Sequence, residues 1–189
     1  MLASSSKLKR VSVRFMDRDI YVNRGRLYLA NASPNDALAI KDSLRFNDAR
    51  ECFIFGLTPE EALLEPFLDN NSKNYTIFLD DMPIGMCGTN KLEDSVGSVW
   101  MLGTEHITEN KFSFLKGCPD VVDILQGDFE SITNYVPVDH YETIQWLSWM
   151  GFIIREDVYN MNGHMMFKFE RFAKRKNNVI NLYTRPVTH

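Results

Sequence analysis

Three strand-like runs, at residues 75–79, 84–89 and 98–103, are followed by a long amphipathic stretch and then by a fourth run at 131–138. No other feature constrains the fold as strongly. The turn cluster Asp80-Asp81-Met82-Pro83 folds the first two runs back on each other, and a short polar loop does the same for the third, so the three form an antiparallel meander. The fourth run is reached only across a helix. A strand–helix–strand unit in one sheet demands a right-handed parallel crossover. The expected architecture is therefore α/β, an α+β mixed sheet with helices on both faces.

The rest of the chain fits around that frame. A strand is expected at 27–29, and a short hairpin ahead of it at 11–22, where Val11, Val13 and Phe15 alternate. Ser33-Pro34 reads as N-cap and first helical residue, with Ala37, Ile40 and Leu44 continuing at helical spacing. Asn47-Asp48 opens a second helix, stopped by Gly56. Thr58-Pro59-Glu60-Glu61 opens a third, with the Thr and Glu of a capping box. The stretch 108–128 carries Phe114, Cys118, Val122 and Leu125 on one face, and Pro119 is expected to break it into two pieces. A helix at 141–150 ends at Gly151, and runs at 152–158 and 165–169 close the body. Gly85 and Gly88 inside a strand mark a bulge or a close backbone approach.

Charge divides the chain into three parts. Residues 1–26 hold seven basic and two acidic residues, and residues 171–189 hold five basic and none acidic. Between them the balance is strongly acidic. We therefore expect a basic N-terminal extension (1–26), a body (27–171) and a basic C-terminal tail (172–189). Two readings of the arms stay open: attraction back onto the acidic body, or contact with a polyanion such as DNA. Cys52, Cys87 and Cys118 lie more than 30 residues apart, which gives neither a disulfide framework nor a metal pair. Apolar runs such as Val99-Trp100-Met101-Leu102 fall far short of the roughly 20 residues of a membrane span. No apolar segment follows Lys7, Lys9 and Arg10, so no secretory signal is expected.

The element order resembles the GNAT (N-acetyltransferase) fold. Four stretches also resemble a GNAT-like family of short-tailed phage proteins that includes internal virion protein A. They are Asp36 to Leu64 with Leu44-Arg45, Asp48-Ala49 and Thr58-Pro59; Val99-Trp100-Met101-Leu102-Gly103-Thr104; Asn134-Tyr135-Val136 with Ile144 to Phe152; and Asn162-Gly163 with Phe167, Phe169, Glu170 and Arg171. The resemblance covers roughly residues 27–171. It implies a virion or host-cytoplasmic protein acting in virion assembly or as an internal virion protein, through protein partners and DNA at the basic termini.

The resemblance also tests the chemistry. Working GNAT enzymes wrap the cofactor pyrophosphate with a glycine-rich loop after the strand that precedes the crossover helix. Here that segment runs from Glu105 to Phe112 without a glycine and with two acids. The Tyr that many members use as general acid is replaced by Leu147. Both departures point to a non-catalytic protein without a cofactor. The alternative is an acetyl-CoA-dependent N-acetyltransferase with a divergent loop. For it, the expected catalytic residues are Glu105, His106 and His140, where the ends of the two parallel strands face each other. Gly103, Thr104, Lys111, Val136 and Val138 would hold the cofactor. Trp146 and Trp149 on one helix, with Lys174, Arg175 and Lys176 in the tail, are the candidates for partner binding. The spacing of the histidines supports no metal site.

Overall fold

The computed structural model describes residues 18–174. The chain begins with a hairpin of β1 (Ile20–Arg24) and β2 (Leu27–Asn31), followed by α1 (Pro34–Ile40), α2 (Phe46–Ile54) and α3 (Pro59–Leu64). The meander is β3 (Lys73–Leu79), β4 (Met82–Glu93) and β5 (Val96–Gly103). A short α4 (Glu105–Glu109) and a long α5 (Lys111–Gln126) cross to β6 (Ser131–Pro137). Then come α6 (Tyr141–Trp149), β7 (Ile153–Met161) and β8 (His164–Phe172). All eight strands join one sheet in the order β1-β2-β3-β4-β5-β6-β8-β7, and the β5–β6 pair is parallel. The mixed sheet and the parallel crossover are those expected from the element order.

Local chemistry sets the helix ends. The Asp36 carboxylate accepts the N–H of Ser33 at 2.9 Å, with Pro34 preset for the first turn of α1. Thr58 and Glu61 exchange bonds in a capping box at α3. The tight turns Asp80-Asp81 and Asn162-Gly163 take positive φ at both central residues, the conformation that matches strand twist in two-residue hairpins.

Three expectations change. Helix α1 stops at Ile40, and Leu44, expected on it, bridges Thr104 at the end of β5 instead. Pro119 does not break its helix. The break falls earlier, at Asn110, and α5 runs through Pro119. The proline removes one hydrogen bond, but Phe114, Cys118, Val122 and Leu125 stay buried on one face and hold the helix to the sheet. The strand at Ile20–Arg24 pairs with β2, so the sheet starts ahead of residue 27. Most of the hairpin expected at 11–22 lies outside the described residues, as do Arg175 and Lys176.

Two cores lie on opposite faces of the sheet. One packs α5 and α6 against Leu29, Ile77, Cys87, Val99 and Val136. The other packs α1, α2 and α3 against Met86 and Leu102. Gly85 sits beside a register shift in the β3–β4 ladder, and Gly88 lies under a close approach. A Cβ on Gly88 would stand 2.6 Å from the carbonyl oxygen of Lys73 and 2.9 Å from the Trp100 ring. The backbone there has no room to yield. Gly88→Ala is therefore expected to destabilise the fold by about 1–3 kcal/mol in urea unfolding, whereas Gly163→Ala at an open turn acts only through its positive φ.

Candidate functional site

The parallel strands β5 and β6 part after three paired residues, Val96–Ser131, Gly97–Ile132 and Ser98–Thr133. Asn134 stands in the fork. Its Nδ2 donates to the Val99 carbonyl at 2.8 Å, and its Oδ1 accepts the Tyr135 N–H at 2.8 Å. Strand alternation turns the backbone groups of Val99, Met101 and Gly103 toward the widening gap. Asn134 occupies the Val99 carbonyl. The Gly103 N–H goes to Asp48 Oδ2 at 2.6 Å, and its carbonyl accepts the Arg45 N–H at 2.8 Å. That leaves Met101, half-buried, presenting its N–H and C=O to the gap.

A cavity of about 530 Å³ passes through this fork. On the α5–α6 side its walls are aliphatic and aromatic, including Val136, Trp146 and Leu147. Toward α2 and α3 it meets Glu51, Phe55, Trp100, Tyr135 and Glu65. Glu51 and Glu65 are the charged side chains among its described lining residues. Three lining residues carry a buried polar atom without a hydrogen-bond partner: Asn90 Oδ1, Trp100 Nε1 and Trp146 Nε1. Such orphaned groups are expected where a ligand or water completes the site.

Behind Glu51 runs a chain of polar groups. The buried His140 Nδ1 lies 2.7 Å from Glu51 Oε1, and its Nε2 lies 3.4 Å from Arg50 Nη1. A guanidinium only donates, so Nε2 accepts and the ring proton sits on Nδ1, donated to Glu51. Arg50 also donates to Asp139 at 2.9 Å and holds that carboxyl below the usual range. The chain fixes the Glu51 carboxylate at the cavity wall.

The expected site residues are dispersed. His140 is placed centrally, but as a support for Glu51 and not as a cavity wall. Glu105 and His106 lie exposed on α4, where His106 Nδ1 sits 2.8 Å from Glu109, and neither meets His140. The short helix α4 buries Ile107 and turns both outward. Among the expected cofactor residues, Val136 lines the cavity. Gly103 and Thr104 are occupied: Thr104 donates both its N–H and its hydroxyl to the Ile84 carbonyl. Val138 donates to Met165, and Lys111 is exposed at the start of α5. Trp146 does not form an outward partner face. It packs on Phe114, with ring centroids 5.9 Å apart, and lines the cavity with Met150. Trp149 is exposed, as is Lys174. Asn134, Met101, Glu51 and Tyr135 were not singled out for a site. For Glu51 the available signal is slight: it is one of three charged residues in α2, with Asp48 and Arg50. Among the described residues no cluster of His, Cys, Asp and Glu is arranged to hold a metal, and no helix is long and apolar enough to cross a membrane.

Asp48 ties α2 to the end of β5. Burial pushes its carboxyl up, against the opposing pull of Arg45 and the Gly103 N–H. A folded-state pKa above the unfolded one means that the native state holds the proton longer. Stability from this group is therefore greatest below the ordinary carboxylate range and declines as pH rises through the raised folded value. Asp48→Asn is expected to flatten the pH dependence of unfolding free energy in that window, as measured by urea unfolding at several pH values.

No protein-family model matches the chain, and no curated protein matches it by sequence. Solved structures do. RimL, a ribosomal alpha-N-protein acetyltransferase, solved in complex with coenzyme A, is 14% identical, covers 82% of this chain and 98% of its own, and gives a TM-score of 0.59. A spermidine N-acetyltransferase SpeG chimera from Vibrio cholerae and hSSAT is 14% identical over 78% of this chain and 96% of its own, with a TM-score of 0.58. An acetyltransferase from Thermus thermophilus is 15% identical over 80% of this chain and 100% of its own, with a TM-score of 0.58. The expectation of a protein without a cofactor is corrected by this likeness, since one of these structures of the same fold holds coenzyme A. The chain has the mixed α/β fold of the GNAT acetyltransferases.

Proposed function

We propose that this protein transfers an acyl group from a coenzyme A thioester to an amine. The observation that carries the reading is the fork between β5 and β6, with a cavity running through it to a positioned carboxylate. The fit to the cofactor differs at its two ends. A pantetheine arm is slender and carries amides, which need backbone partners. The parted strands offer the free N–H and C=O of Met101 on one side and the apolar Val136 on the other. At the diphosphate end the match is poorer. The short helix α4, with Glu105 and Glu109, takes the place of a glycine-rich loop. What remains there is the positive end of the 16-residue α5, with Lys111 exposed beside it.

Coenzyme A supplies an activated acyl carbon and a thiol leaving group. The protein supplies the rest. Glu51 stands on the α2 side of the fork, oriented by His140, and takes a proton from the incoming amine. The amine nitrogen then bonds to the acyl carbon, the carbon–sulfur bond breaks, and the second proton that the nitrogen sheds on becoming an amide passes to the sulfur. We assign the relay of that proton to the hydroxyl of Tyr135, which lines the cavity and packs edge-on against Tyr159. Glu51, half-buried, and Glu65, exposed, are the acids that line the cavity, and they favour a cationic acceptor because an ammonium is attracted to carboxylates.

Contacts in a phage particle form a second reading. Its support is the sequence resemblance together with the exposed Trp149 on α6 and the replaced glycine loop. The basic termini that would touch DNA fall mostly outside the described residues.

Acyl transfer from acetyl-CoA to a diamine, followed by thiol release, tests the enzymatic reading. Wild-type turnover is expected, with Glu51→Gln lowering kcat by about 10²–10³ at neutral pH and His140→Ala lowering it less. A wild-type protein that releases no thiol above background with any amine would overturn the proposal.

A further inference from the structure

The fork and the rim beyond it differ in what they can bind. Along β5 the backbone is open at Met101 and closed after it. The Gly103 N–H goes to Asp48 and its carbonyl accepts from Arg45, while Thr104 gives its N–H and its hydroxyl to the Ile84 carbonyl. The end of β6 is closed in the same way. Pro137 has no N–H to give, and the Val138 N–H donates to the Met165 carbonyl at 3.1 Å.

The link to α5 repeats the pattern. A glycine-rich loop there would point free N–H groups at a diphosphate. This chain folds α4 instead. Ile107 donates to the Thr104 carbonyl, Asn110 to the His106 carbonyl, and Ser113 and Phe114 both to the Asn110 carbonyl. A five-residue helix aligns too few peptide dipoles to attract an anion strongly.

Side-chain charge adds to the mismatch. Glu105 and Glu109 are exposed on α4, and the His106 ring is turned to Glu109 at 2.8 Å. Glu109 stands directly ahead of Asn110, the N-cap of α5, where its carboxylate offsets the positive end of that helix. Arg45, beside the end of β5, is held by both carboxylate oxygens of Asp48. Lys111 is an exposed point charge, and an exposed ion pair adds little. A pantetheine arm is neutral, whereas the nucleotide that coenzyme A adds to it is polyanionic.

We infer that the donor is held through its pantetheine arm alone, so that the substrate is a pantetheine thioester whose nucleotide adds nothing to recognition. The inference rests on the acyl-transfer reading, because the arm is placed in the fork by that reading. Coenzyme A and the prosthetic group of acyl carrier proteins carry the same arm, with the same amides and the same thioester.

Calorimetric titration of the full chain with coenzyme A, 4′-phosphopantetheine and pantetheine tests it. Coenzyme A is expected to bind no more than about threefold tighter than pantetheine, with a Kd that changes less than about twofold between low and high salt. The double variant Glu105→Lys, Glu109→Lys, with both changes at exposed positions, is expected to tighten coenzyme A about tenfold at low salt and to leave pantetheine unchanged. Coenzyme A binding to the wild-type protein tenfold or more tighter than pantetheine overturns the inference and leaves acyl transfer standing. Similar Kd values without thiol release from any thioester support the arm and overturn acyl transfer. Failure of all three ligands to bind at millimolar concentration overturns both. Transfer assays separate the sources. Acetyl-pantetheine with a kcat/KM close to that of acetyl-CoA supports a free thioester, and an acetylated carrier protein that exceeds both supports a carrier-borne one.

Discussion

Asn134 stands where two parallel strands stop pairing, and the site depends on that separation. A side-chain amide replaces one rung of the ladder by bonding to Val99 and Tyr135. Beyond it the strands have no partner for each other, and a buried backbone group without a partner is costly. The structure meets that cost in different ways along β5. Gly103 is claimed by Arg45 and Asp48, and Thr104 by Ile84. Met101 is left for a ligand. The same clasp that satisfies Gly103 carries α2 to the fork and so brings Glu51 to the cavity wall.

The two faces of the sheet then play different parts. The face under α5 and α6 is apolar and holds neutral thiols, and at the fork it suits a slender neutral arm. Toward α2 and α3 stand carboxylates, aromatic rings and the orphaned Asn90 and Trp100 groups, which suit a polar, cationic partner. A through-sheet cavity joins them. Two reactants entering from opposite faces would meet at the fork, and fixing them there removes much of the entropic barrier to a bimolecular step.

Much of this fold was legible in the sequence because local rules agreed with the final structure. The Ser33-Pro34 and Thr58-Pro59-Glu60-Glu61 starts, the Gly56 and Gly151 stops and the meander-plus-crossover order all survived folding. Boundaries failed where tertiary contacts overrode local preference. Leu44 left its expected helix to bridge Thr104, and Pro119 stayed inside α5 because the buried face of that helix outweighs one lost hydrogen bond. The site was harder to read. Glu51 and His140 are 89 residues apart, and nothing in the spacing of either announces the other. Glu105 and His106 converge on His140 only if the residues that follow the two parallel strands face each other. The helix α4 that forms there sends both to solvent. Gly85 and Gly88 read as a bulge or a close approach because glycine inside a strand has no side chain to pack, and the structure has a register shift beside Gly85 and tight contacts to Lys73 and Trp100 at Gly88.

The central claim is that the fork between β5 and β6 receives the pantetheine arm of a coenzyme A thioester. Backbone amide shifts followed by NMR during titration with coenzyme A test it residue by residue. The account predicts that the largest perturbations fall on Met101 and its neighbours in β5 and on Tyr135 and Val136 in β6, with smaller ones at the start of α5. Perturbations confined to other surfaces, or none at millimolar ligand, would contradict it.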